Sequence, residues 1–103
     1  MAILALVSAD GLSKEIYEQL RKEVNWEGNA PSGGMFHVAA NGTKGMRIAD
    51  IWSSEQDFNN FINSRIKPAL QKRNISLPQT EILQIHNINA FPGIERYRVP
   101  QTH

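Results

Sequence analysis

The chain has 103 residues, with 11 Lys plus Arg against 10 Asp plus Glu and no cysteine. That length suits one domain, and a formal charge of +1 provides no field for holding nucleic acid or an anionic membrane. The absence of cysteine removes thiol nucleophiles, disulfides, thiolate-bound haem and Cys-type zinc sites, leaving chemistry to His, carboxylate, Trp, Tyr or Asn.

The opening segment Met1–Val7 is apolar, but Ser8 and Asp10 interrupt it, it lacks a basic leader, and it falls short of the roughly 20 residues needed to span a bilayer. It reads as the first strand, residues 2–8, of a cytoplasmic protein. Ile3, Ala5 and Val7 alternate with Leu4 and Leu6, so both faces of this strand call for burial. After Asp10-Gly11, Ser13 is placed to cap a helix that runs to about Trp26, with Ile16, Leu20 and Val24 on its apolar side. Gly28, Asn29, Pro31, Ser32, Gly33 and Gly34 mark a loop before a second strand, Met35–Ala40. A hairpin turn within Asn41–Gly45 leads to a third strand ending at Trp52. Ser53-x-x-Gln56 offers a capping box for a second helix, whose apolar stripe is Phe58, Phe61, Ile62, Ile66, Ala69 and Leu70. Pro68 falls inside that pattern and predicts a kink or a separate last turn, because proline lacks an N–H and crowds the preceding turn. Asn74 and Pro78 close the element, Thr80–Ile88 reads as a fourth strand, and residues 89–103 read as an irregular tail.

The order βαββαβ predicts an α+β, ferredoxin-like domain over residues 1–88: a four-stranded antiparallel sheet with both helices on one face. Two helices cover only one face, yet the first and third strands are apolar on both. Packing the open face on the same face of a second copy removes the exposed apolar area, which predicts a homodimer with a sheet-lined interior. The tail either clasps the partner or completes a sheet edge, or it is a frayed end.

Four passages, Met35–Ala40, Ile48-Ala49-Asp50-Ile51-Trp52 with Ser53-Ser54-Glu55, Arg65–Leu70 and Ile85-His86-Asn87, together resemble the dimeric α/β-barrel superfamily, on the side of the antibiotic-biosynthesis monooxygenases. The resemblance covers residues 1–88 and implies a dimeric α/β barrel with a cavity between sheet and helices. It also implies that Trp52, the tryptophan before the second helix, lines that cavity, where the relatives oxidise polycyclic phenols without a cofactor. Haem-degrading members bind iron through a histidine on the following helix. Residues 54–73 contain no histidine, which disfavours that mode.

His37, Asp50 and His86 are the candidate acid–base residues beside Trp52. A histidine can take a proton from a phenol while a carboxylate on its other ring nitrogen fixes the tautomer. Whether His37 meets Asp50 depends on hairpin register. A two-residue loop at Thr43-Lys44 pairs them across the strands, whereas a three-residue loop with a left-handed Gly45 puts them on opposite faces. His86 falls on the strand set opposite Leu83 and Ile85, either as a ligand contact or as a polar strand end. A metal site from these three lacks diagnostic spacing, so no metal and no cofactor is expected. Two functions remain open: a cytoplasmic homodimer whose pocket binds or oxidises a small aromatic or hydrophobic metabolite, or a non-catalytic dimer module for ligand sensing, stress response or assembly. A pocket with converging polar groups favours the first, and an interior filled by side chains the second.

Overall fold

The computed structural model describes residues 1–99; the end of the tail, 100–103, lies outside the described residues. Its order is β1 (Ile3–Ala9), α1 (Lys14–Val24), β2 (Gly34–Gly42), β3 (Gly45–Trp52), α2 (Glu55–Phe61), a π-helical turn (Ile62–Ile66), α3 (Lys67–Gln71), β4 (Gln79–Gln84) and a 3₁₀ turn (Pro92–Tyr97). The strands form one antiparallel sheet in the order β2-β3-β1-β4. This is the ferredoxin-like α+β arrangement that the strand and helix pattern predicts.

Local chemistry explains the boundaries. Ser13 caps α1 by accepting from the Ile16 N–H at 3.2 Å, and Asn25 ends it in the left-handed conformation at φ 56°. The helix therefore stops just short of Trp26. The second helix is capped by Ser54, one residue later than the Ser53 box predicts: Ser54 accepts from Asp57 N–H, while the Ser53 hydroxyl donates to the Asp57 carboxylate at 2.7 Å. Pro68 breaks the helical ladder as predicted, and the break is a widened turn. With no N–H at Pro68 and its ring crowding the carbonyl four residues earlier, the chain opens into the π turn, in which Lys67 N–H donates to Ile62 C=O.

Ile3, Ala5, Val7 and Ala9 of β1 point towards the helices with Met46, Asp50 and Trp52 of β3. They divide into two buried clusters. Ala9, Leu12, Leu20, Met46, Ala69 and Leu70 pack at one end, and Ile3, Ala5, Trp52 and Phe58 at the other.

The opposite face is bare. Leu6, Phe36, Val38 and Leu83 are 37–46% exposed, and Leu4, Ala49 and Ile51 lie among them on the same face. Burial of both faces of β1, expected from its sequence, is thus unmet within one chain. The fourth strand also stops at Gln84, four residues earlier than predicted. Ile85 N–H still reaches the Ala2 carbonyl at 3.1 Å, but β1 begins only at Ile3 and offers nothing further to pair with. Beyond it residues 86–99 are exposed, although Pro92–Tyr97 winds into the 3₁₀ turn where an irregular segment is predicted. No helix among the described residues is long and apolar enough to cross a membrane.

Candidate functional site

Hairpin register decides the site. Gly42 pairs with Gly45, leaving a two-residue loop, and His37 is therefore directly opposite Asp50. Thr43 and Lys44 avoid positive φ, and Gly45, at φ +134°, takes up the strand twist. Both side chains point to the helix face, where Asp50 is 7% exposed.

His37 Nδ1 lies 2.6 Å from Asp50 Oδ1, and the Trp52 indole N–H donates to Asp50 Oδ2 at 3.3 Å. The other imidazole nitrogen, Nε2, is 2.7 Å from the hydroxyl of Tyr17 on α1. An ionised carboxylate can only accept. The hydrogen therefore belongs on Nδ1, which leaves Nε2 to accept from the Tyr17 O–H. Four side chains thus form one directed chain, Tyr17 to His37 to Asp50, with Trp52 donating to the same carboxylate. No buried side-chain nitrogen or oxygen among the described residues lacks a partner.

Aromatic rings fix the chain laterally. The Tyr17 and His37 rings are stacked within 3° of parallel at 6.1 Å, and the Trp26 ring is 5.7 Å from Tyr17 and 5.4 Å from His37. Trp52 packs against Phe58 at 5.8 Å and Phe61 at 5.2 Å. Burial pushes the Tyr17 hydroxyl up to about 12; Arg21 opposes this, and the carboxylates of Glu18, Glu27 and Asp50 add to it. Tyr17 is consequently a neutral phenol across the physiological range.

These groups line a cleft of about 1450 Å³ whose walls draw on both buried clusters, including Leu12 and Leu20 from one and Trp52 and Phe58 from the other. Tyr17, Trp26, His37, Asp50 and Trp52 all contribute to it. The space exceeds what one small ligand fills.

The structure brings His37, Asp50 and Trp52 together and leaves His86 out. His86 follows the end of β4, is exposed, and is not among the residues lining the cleft. Tyr17 and Trp26 were missed from sequence. Their signal was position: Tyr17 sits three residues before the buried Leu20, and Trp26 follows immediately after the helix cap. No group of three or more His, Cys, Asp or Glu among the described residues could hold a metal ion.

Fold and cleft define an α+β protein of ferredoxin-like architecture with an aromatic, internally hydrogen-bonded site between sheet and helices. No protein-family model and no curated protein sequence matches the chain. Solved structures do. A protein of unknown function from Nitrosomonas europaea is 19% identical with TM-score 0.59, covering 89% of this chain and 94% of its own. SnoaB, a cofactor-independent oxygenase from Streptomyces nogalater, is 9% identical with TM-score 0.56, covering 84% and 93%. A Deinococcus radiodurans protein described as a candidate antibiotic biosynthesis monooxygenase is 12% identical with TM-score 0.55, covering 88% and 98%. The structural neighbours thus include antibiotic-biosynthesis-monooxygenase-like proteins, and the likeness is one of fold.

Proposed function

We propose that the protein is a homodimeric pocket protein that binds a small hydroxylated aromatic metabolite and takes its phenolic proton through Tyr17 and His37. Oxidation of that ligand by dioxygen without a cofactor is the activity this arrangement suits best. The observation that carries the reading is the chain Tyr17–His37–Asp50, with contacts of 2.7 and 2.6 Å, on the wall of an aromatic cleft.

Both ring nitrogens of His37 are engaged, so a ligand hydroxyl meets the Tyr17 oxygen first. As the ligand O–H transfers its proton to that oxygen, Tyr17 passes its own to His37 Nε2. Tyr17 ends as it began, and the charges created are a bound phenolate and an imidazolium beside Asp50. No tyrosinate is required, which suits a hydroxyl whose ionisation burial disfavours. The phenolate is the electron-rich form that reacts with dioxygen. For a ligand with a ring CH₂ conjugated to that oxygen, the CH₂ becomes a carbonyl and the second oxygen atom leaves as water. Trp52, Phe58 and Phe61 offer an apolar aromatic wall for the ring.

Dimerisation is supported by area. The chain exposes 7204 Å², whereas a compact monomer of 11.6 kDa exposes about 5,800 Å². The excess, roughly 1,400 Å², is of the size of one partner's share of an obligate interface.

The test uses a hydroxyanthracene or hydroxynaphthalene whose phenolate absorbs at longer wavelength than its phenol. Mixed with the wild-type protein below the free phenol's pKa, it should show the phenolate band and consume oxygen, with both lost in His37→Gln. Binding without the band would contradict the proton-transfer reading, and absence of binding would contradict the ligand class.

A further inference from the structure

Arg65 lies on the π turn, outside the hydrogen-bonded chain, yet it touches the supports of both tryptophans. One guanidinium nitrogen donates to the backbone carbonyls of Val24 at 2.8 Å and Asn29 at 2.8 Å, with Asn25 O at 3.4 Å. These carbonyls belong to the last residue of α1, its cap, and the loop that follows, and Trp26 lies between them. The guanidinium carbon sits 5.1 Å from the centre of the Phe61 ring, and Phe61 in turn packs on Trp52 at 5.2 Å. One side chain on the second helix therefore ties the Trp26 loop to the Trp52 wall.

Holding α1 against the second helix does not by itself need this contact. Arg73 and Lys72 both pair with Glu23, and Arg73 also reaches Gln19, one helical turn and more away from the loop. Apart from Arg65, the stretch Asn25–Asn29 around Trp26 is tied by hydrogen bonds to itself and to α1: Glu27 is paired with Arg21, Gly28 N–H donates to Asn25 Oδ1 and Asn29 N–H to Asn25 O, while the far end of the loop is held separately, Ser53 N–H donating to Gly33 O at 2.8 Å. For the stretch around Trp26, Arg65 supplies the hydrogen bonds from the second helix. Its placement comes from sequence through Pro68, which opens the π turn on which Arg65 stands.

We infer that Arg65 is a positioning residue for the site: it holds the Trp26 loop so that the indole stays against Tyr17 and His37 and sets the width of the ligand slot. Arginine suits the task because one terminal nitrogen reaches the carbonyls while the planar guanidinium lies over the Phe61 ring. Lysine provides one point charge and no plane. The inference goes beyond the proposed function by naming a residue that touches neither ligand nor proton chain. It rests on that reading only for the identity of the probe ligand.

The experiment labels the full chain with 5-fluorotryptophan, which gives two ¹⁹F resonances because there are two tryptophans. Trp26→Phe assigns them. In Arg65→Gln and Arg65→Lys the Trp26 resonance should shift or broaden well beyond the Trp52 resonance, which feels the change only through Phe61, with far-ultraviolet circular dichroism unchanged. Affinity for 1-naphthol should fall about tenfold in Arg65→Gln. An unmoved Trp26 resonance in both variants would overturn the inference, as would joint collapse of both resonances in both variants, which marks a residue needed only for folding. Should 1-naphthol fail to bind the wild-type protein, the ligand class fails, while the fluorine resonances still decide the role of Arg65.

Discussion

Replacing Asp50 tests the direction of every hydrogen bond in the site. Its carboxylate is nearly buried and accepts from His37 Nδ1–H at 2.6 Å and from Trp52 Nε1–H at 3.3 Å. Asp50→Ala leaves both donors without their acceptor. The His37 ring is a third exposed and can turn to water, but the Trp52 indole is buried, so its N–H carries most of the penalty. A buried donor left unsatisfied costs about 1–3 kcal/mol, and losing a charge-assisted bond to His37 adds to that; a total near 3 kcal/mol is expected. Asp50→Asn behaves differently. Its carbonyl oxygen can keep the Trp52 bond while its NH₂ faces Nδ1, provided His37 moves its hydrogen to Nε2. The cost then falls to about 1 kcal/mol, the difference between charged and neutral acceptors. Nε2–H would donate to the Tyr17 oxygen, and the Tyr17 O–H would turn into the cleft. Urea unfolding at one fixed protein concentration measures the two costs, since the stability of a dimer would vary with concentration. Long-range ¹H–¹⁵N correlation spectra read the tautomer. Equal costs for Asn and Ala, or an unchanged His37 tautomer in Asp50→Asn, would refute the directed chain.

Three further outcomes follow from named contacts. Tyr17 is held up to about 12, above its ordinary value of 10, so the unfolded chain releases this proton first. Between about pH 10 and 12 the unfolded state binds fewer protons, stability must fall with rising pH, and a loss of about 1–2 kcal/mol after allowance for partial exposure is expected. Tyr17→Phe should flatten that part of the urea-midpoint profile. Gly45→Ala forces a side chain into φ +134°, with its Cβ 2.3 Å from the Ala9 carbonyl oxygen, and should cost more than about 2 kcal/mol in the same assay. Val38→Asp places a charge on the bare sheet face, where Val38 is 46% exposed in the single chain. Sedimentation equilibrium should show this variant as a monomer and the wild type as a dimer; two identical distributions would count against the sheet-face interface.

Much of the fold was legible because it rests on local signals. The short, wholly apolar run Ile3–Val7, the period-two alternation in Met46–Trp52, the Ser13 cap and the apolar stripe from Phe58 to Leu70 each define an element without help from tertiary contacts. Pro68 announced a break, but whether it opened a π turn or bent the helix depended on packing. The site was only half legible. His37 and Asp50 were visible as candidates, yet both hairpin registers use a flexible Gly45, so the sequence alone could not choose between pairing them and separating them. Tyr17 was invisible for another reason. On α1 it reads as an extra aromatic beside the apolar stripe, and only the placement of α1 over β2 brings its hydroxyl to His37. His86 lies apart from the cleft because its strand pattern continues past the point where β1 has residues to pair with it.

The most direct measurement is the ¹⁵N spectrum of His37 in wild-type protein titrated with a chromogenic hydroxynaphthalene, at a pH where the free imidazole is neutral and the free phenol intact. Proton transfer along Tyr17 predicts that Nε2 becomes protonated in proportion to the phenolate absorbance, giving an imidazolium beside Asp50. A phenolate band with His37 still neutral, or a bound phenol with no band, would contradict it.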